Sequence, residues 1–429
     1  MTAEIGVPNK SAVALAADSA VTVSNGELGG RKVYNTANKI FNLIRNQPVG
    51  IMIYNNATVC SVPWETLIKL YRENMKGKSF DTIIQYKNSF IQFLKKNVGY
   101  FTLEAQIENT RNLCYKVFDL VSDNAYAFIE DTYDNDTWET MTRDERNKLL
   151  YNSIVGAIDT HINRAKSANK LKNFNVKIAE VKTSYDKKID KWIKEFEKVL
   201  QIKLLKKDKV LLKSLIYNFI FQDVFVEEWS GVVLVGFGNK QIHPQSVNVT
   251  FGAIICNNLR YRIQGGTTIT NENSGSITPF AQRDMIDTFV QGIDPELNNV
   301  LDTILDTTFQ QYSEQIAMNL FEPEEQESKK EQLSKISEKV VNYFRDEFEK
   351  IREEKHIGPI LNAVSSLSKE DLAEMAESLI NLTYLKRRIS FEEEEESVGG
   401  PIEVAIITKG DGFIWIKRKH YFQAENNLP

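Results

Sequence analysis

Residues 1–24 read MTAEIGVPNKSAVALAADSAVTVS, and their order decides how the rest of the chain is read. Removal of Met1 exposes Thr2 with a free amine, and Thr is small enough for that removal to proceed. A hydroxyl and an amine on one residue can serve as nucleophile and general base together. The amine suits the work because an α-amino group titrates near ~8. After Thr2 the chain turns at Pro8-Asn9-Lys10 and returns through a run of small apolar and β-branched residues ending at Asp18-Ser19. A strand pair of this length brings Asp18 back beside Thr2.

Composition sets the limits. The 429 residues are 42% hydrophobic and 26% charged, as expected of a globular chain with a large core. Net charge is −5, which argues against nucleic-acid binding by the chain as a whole. Cys60, Cys114 and Cys256 are far apart and odd in number, so they suggest neither a disulfide framework nor metal ligation. Four scattered histidines do not suggest a zinc site, and chemistry by Thr2 and its amine requires no metal or cofactor. No run is apolar enough to span a bilayer and the start does not read as a signal peptide. A cytoplasmic protein without membrane contact is predicted.

Further along, Val13 to Val23 and Lys39 to Tyr54 read as strands, with the Gly-rich 25–30 as a hairpin connection. Pro63-Trp64-Glu65 opens a helical pattern that continues to about Gln222. Gly231 to Gly238, Val247 to Cys256 and Leu259 to Ile263 return to strand character. Residues 278–291 and 322–356 read as helices, and Ser368 caps another with Glu370 and Asp371 in its first turn. Pro401 to Lys409 and Phe413 to Lys417 are strands about Gly410-Asp411-Gly412. This order predicts an α+β chain with two sheets between helical layers. Residues 161–220 carry 16 Lys or Arg against 6 Asp or Glu, a net of +10 that leaves −15 elsewhere. Such a run reads as a solvated helix face or as a docking surface for an acidic partner; without interleaved aromatics, nucleic acid is unlikely there. No GxxxxGK[ST] run is present.

Thr2, the AADS motif at 16–19 and Asn38-Lys39-Ile40-Phe41 together resemble the opening of proteasome β-type subunits, which are N-terminal-nucleophile hydrolases. SVGGPIEVAIITKGDGFIWI, at 397–416, resembles the same family's Gly-Gly turn and strand hairpin. The likeness covers residues 2–60, 231–264, roughly 274–292 and 366–417. It implies a four-layer αββα sandwich forming a single domain over 1–429, with helical insertions at about 75–225 and 295–365.

The resemblance also implies roles. Thr2 is the nucleophile, Asp18 the buried acid, and Lys39 the lysine that the acid holds; Lys32 is the alternative lysine. Without the family, Asp18 reads as a turn residue and Lys39 as a strand-edge lysine. The oxyanion donor, usually the N–H of a Gly, falls here on Asn55 or Asn56. Supporting positions before Gly399-Gly400 fall on Glu395 and Val398, with Ser397 one place off, and a further one on Ser274 or Ser276. The implied activity is a threonine-type peptidase acting on peptides or unfolded protein through an acyl-enzyme, in a homo-oligomer. An amidohydrolase of small amides and a catalytically silent scaffold subunit are the alternatives.

Overall fold

In the computed structural model, residues 3–25, 30–34, 37–133, 135–389 and 399–419 are described. The chain opens with an antiparallel hairpin of β1 (Glu4–Pro8) and β2 (Ala12–Ala17). Asn9 closes its turn, its Oδ1 accepting the N–H groups of Ser11 (2.9 Å) and Ala12 (3.1 Å), the local bonding that suits Asn to turns. The strand expected over Val13 to Val23 is interrupted. β2 stops at Ala17, and β3 (Val21–Asn25) pairs with β4 (Gly30–Tyr34) as a separate hairpin. The break falls at Asp18, whose carboxylate takes backbone N–H groups away from the ladder.

Lys39 to Tyr54 is likewise a hairpin and not one strand, β5 (Ile40–Asn42) and β6 (Val49–Asn55). Asn46 takes a left-handed φ of 62° and Pro48 has no N–H to give a ladder. A small hairpin, β7 (Thr58–Val59) with β8 (Val62–Pro63), leads into α1 (Trp64–Asn74). The long helical region comprises α2 (Ile83–Lys96), α3 (Leu103–Thr132), α4 (Asn135–Thr140), α5 (Arg143–Ser167), α6 (Ile178–Leu200) and α7 (Lys206–Phe221). Thr82 and Gln85 start α2 with a reciprocal capping box.

Strands β9 (Ser230–Gly236), β10 (Gln245–Ile255), β11 (Asn258–Gly265) and β12 (Thr278–Pro279) follow. The helix expected over 278–291 begins only with α8 (Asp284–Gln291), because Thr278 and Pro279 pair with β1. Next come α9 (Pro295–Leu320) and α10 (Gln326–Arg352), a π-turn at Glu353–Ile357, α11 (Gly358–Ser366) and α12 (Lys369–Ile389). The chain ends its described part with β13 (Glu403–Thr408) and β14 (Gly412–Lys417).

The fold is thus mixed α and β, with antiparallel sheets. One sheet has the order β12-β1-β2-β13-β14, the other β11-β10-β9-β6-β5. Strand alternation sorts the core. Val13, Leu15 and Ala17 join Met52, Tyr54, Val233, Val235 and Ile407 in a cluster shared by both sheets. Ala12, Ala14 and Ala16 point the other way, into a cluster with Leu372, Ala376 and Ile380 of α12. With both faces covered, VALAA has no polar positions to spare, which accounts for its unbroken apolar character. On the second sheet, Ile51, Ile53, Val232 and Leu234 lie under Trp64, Tyr71 and Phe90 of α1 and α2. Helices α3, α5, α6 and α7 build a further core of their own, joined to β10 through Ala253 and Ile255.

Candidate active site

Asp18 sits where β2 ends, and three backbone amides converge on it. Its Oδ1 accepts the N–H of Ala3 at 3.0 Å. Its Oδ2 accepts those of Ala20 (3.3 Å) and Gly399 (3.1 Å). The carboxylate is 1% exposed, so these donors replace the water it has lost. Lys39, 4% exposed at the start of β5, completes the set with Nζ 2.5 Å from Asp18 Oδ1. The positive φ of Gly400 (78°) turns the chain that brings Gly399 here. The first described residue, the AADS aspartate, the NKIF lysine and the Gly-Gly turn therefore meet at one point.

Two further carboxylates share this point. Glu4 on β1 and Glu403 on β13 both stand opposite Ala17 of β2. All three residues therefore face the space between the sheets. Glu4 lies 3.4 Å from Lys39 Nζ, so Lys39 is held between two acids. Glu403 is 3.8 Å from Lys419, whose ammonium also donates to Ser19 Oγ (2.7 Å) and to the carbonyl of Ala37. Burial raises the pKa of Glu403 and lowers that of Lys419, since leaving water penalises the charged form of each.

A cleft of about 180 Å³ opens beside Lys39, walled by Asn38, Asn55, Asn56, Ala57, Trp64 and Glu65 among others. Asn55 ends β6 in the left-handed region, at φ 67°, a conformation that Asn tolerates better than most side chains. Its side-chain amide donates to the Trp229 carbonyl at 2.8 Å. The N–H of Asn56 is committed to that same carbonyl at 3.3 Å. Behind the cleft, Tyr54 lies across Gly231, where a Cβ would fall 2.0 Å from the ring. Only glycine permits that approach, and it sets the floor of the cleft. Burial raises the Tyr54 pKa, so the phenol stays neutral and accepts from Asn248 at 2.7 Å.

Other expected residues fall elsewhere. Thr2, Glu395, Ser397 and Val398 lie outside the described residues, as does the side chain of Lys32. Ser274 and Ser276 are not brought to Asp18. Ser276 donates its N–H to Pro8 (3.0 Å), and Asn9 pairs with Gly275, at the opposite end of β1 from Ala3. With about 3.3 Å of rise per residue, that is roughly 16 Å away. The reason is register: antiparallel pairing puts Phe280, not the serines, beside Glu4, with its N–H 3.0 Å from the Glu4 carbonyl.

Glu4, Glu403 and Lys419 are the members of this cluster that sequence reasoning missed. Among the described residues no group of three or more His, Cys, Asp or Glu side chains is placed to hold a metal ion. No helix among them is long and apolar enough to cross a membrane. No known protein family and no curated protein matches the sequence.

Proposed function

We propose that this chain is an N-terminal-nucleophile hydrolase of proteasome-like αββα fold, a threonine-type peptidase built as one domain with helical insertions. The observation that carries the reading is that Ala3 N–H and Lys39 Nζ meet on one oxygen of Asp18. That contact ties the residue following Thr2 to a buried lysine beside an open cleft. The layered reading of the fold draws on the cluster shared by the sheets and on the helices over their other faces.

In this reading Thr2 Oγ attacks a peptide carbonyl in the cleft. The Thr2 amine takes the hydroxyl proton, directly or through one water, and passes it to the departing amine. Lys39, held by Asp18 and Glu4, contributes fixed positive charge that favours the alkoxide and keeps the amine neutral. The Asn55 N–H stabilises the oxyanion. Water activated by the same amine then cleaves the acyl ester. Assembly as a homo-oligomer, and docking of an acidic partner on the basic helices α6 and α7, belong to the same proposal.

The test is the intact mass of protein with a native N-terminus, before and after an electrophile selective for N-terminal Thr. Loss of Met1 and one stoichiometric adduct, absent in Thr2→Ala, is expected. A retained Met1 with no adduct rejects catalysis by Thr2 and leaves the scaffold reading.

A further inference from the structure

A second cavity, of about 380 Å³, adjoins the cleft. Asn38 and Glu65 line both. Asn38 Nδ2 donates to Glu65 Oε2 at 3.3 Å, so this pair forms a shared wall. The charged lining of the second cavity is unbalanced: Arg45, Lys69, Arg72, Arg418 and Lys419 face Glu65 and Glu403. Lys69 is paired with Glu65 at 2.6 Å, and Lys419 lies 3.8 Å from Glu403. Arg45, Arg72 and Arg418 make no ion pair among the described residues, so three guanidiniums are left over.

Two of them are held by neighbours in the cavity wall, Asn42 and Trp415. Arg72, on α1, donates through Nη2 to the carbonyl of Asn42, while its Nε is buried without an acceptor. Arg418 lies against the ring of Trp415, 5.0 Å from its centre, a contact that orients a guanidinium without neutralising it. Burial lowers the Arg72 pKa, and the charges of Arg45 and Arg418 add to the effect. Arg45 and Arg418 therefore both act on Arg72, with Glu73 partly opposing them. Like charges gathered along one concave wall raise the local concentration of anions. The planar fork of Arg matches a carboxylate with two parallel hydrogen bonds.

We infer that this cavity binds a carboxylate of the substrate, next to the bond opened in the neighbouring cleft. The inference rests on reading that cleft as the peptidase site. Peptides offer a carboxylate from two sources, an Asp or Glu side chain or a free C-terminus. The cavity selects for either by the same chemistry, and the experiment tells them apart.

Binding is measured on Thr2→Ala protein, which cannot turn over, by fluorescence anisotropy of labelled octapeptides. One set is blocked at both ends with a single Glu at successive positions, a second has Gln in its place, and a third has Gln and a free C-terminus. A Glu peptide or the free-acid peptide is expected to bind about ten-fold more tightly than its neutral counterpart, the scale of a charge-assisted hydrogen bond. Tighter binding by the Glu set assigns a side-chain carboxylate, and tighter binding by the third set a terminal one. Arg72→Gln with Arg418→Gln is expected to reduce the ratio to about one. The exposed pair Arg45→Gln and Arg418→Gln serves as a second variant should circular dichroism show that the first has lost its fold. Equal binding of all three sets, or an acid preference that survives these substitutions, overturns the inference. Because binding needs no Thr2 chemistry, an acid preference without a Thr2 adduct removes the peptidase reading alone. An adduct without acid preference removes the carboxylate site alone.

Discussion

The sheet β11-β10-β9-β6-β5 holds a buried cation at each edge, and the two could hardly be kept more differently. Arg260, on β11, is 0% exposed and spends its guanidinium on the carbonyls at the end of α7. Phe219 (2.8 Å), Ile220 (3.0 Å) and Val224 (2.9 Å) accept from it, with Glu227 as the counter-ion. It ties the end of α7 to the sheet, at a helix C-terminus where positive charge is favoured. Lys39, beside β5, has two carboxylates for one ammonium and forms part of a cleft wall. One site is closed and satisfied by backbone; the other is crowded with titratable side chains and open on one side. Burial of charge alone does not separate structure from chemistry. What the cation faces does.

Substitution at the two cations should separate them. Replacing Lys39 with Met is expected to lower the rate of Thr2 adduct formation, and of peptide cleavage, by on the order of 10³, the scale of losing one preorganised electrostatic contact. Asp18 keeps three backbone donors while Glu4 loses its cation, so the rate is read per folded molecule, with circular dichroism showing the native fold. Unchanged adduct kinetics in Lys39→Met would erase the distinction between the two edges.

Arg260→Met should show the reverse. It leaves Glu227 buried without its cation, and thermal or urea melts are expected to report a loss of about 3–5 kcal/mol. The Thr2 adduct rate per folded molecule should stay at the wild-type value. Adding Glu227→Leu should recover most of that stability, since an apolar pair of similar volume is often as good as a buried ion pair. A double variant no better than the single would mean that Arg260 works mainly through the α7 carbonyls.

The same contrast explains how much could be read from the sequence. Asp18 and Lys39 stand in short motifs, AADS and NKIF, that carry the likeness to a known family. Glu4 and Glu403 carry no such mark. Each is a lone acid in an apolar strand, and only the pairing of both with Ala17 shows that they face the same interior space. Lys419 follows the last strand and reads as tail until the fold returns it to Ser19. Arg260 is equally silent, one basic residue in NLRYRIQG, because its partners belong to a helix some forty positions earlier. The long strands expected over Val13–Val23 and Lys39–Tyr54 failed for a related reason. Apolar runs such as Leu43-Ile44 continue through the turn, and only Asn46 and Pro48 interrupt them. Ser274 and Ser276 show the same limit: a motif fixes residue order, while strand register decides which end of β1 it reaches.

The smallest effect tests the third acid. Burial raises the pKa of Glu403 above its unfolded value, so between the two values the native state binds more protons than the unfolded chain. Its contribution to stability is therefore fully present at low pH and is lost as pH rises through the folded pKa. Lys419 runs the other way: with a folded pKa below its unfolded value, the native protein gains stability as pH rises through that value toward the unfolded one. Glu403→Gln removes the first of these and leaves Lys419 bound to Ser19 and Ala37. At neutral pH the variant is expected to match or exceed the wild type, by about 1 kcal/mol or less. That advantage should disappear in urea melts below about pH 4, where the carboxyl is protonated in both states. A variant clearly weaker than wild type at pH 7 would show that the Glu403 charge holds Lys419 in place. The third acid would then belong with Glu227, as a counter-ion that builds the fold, and not with Glu4 and Asp18 around the ammonium of Lys39.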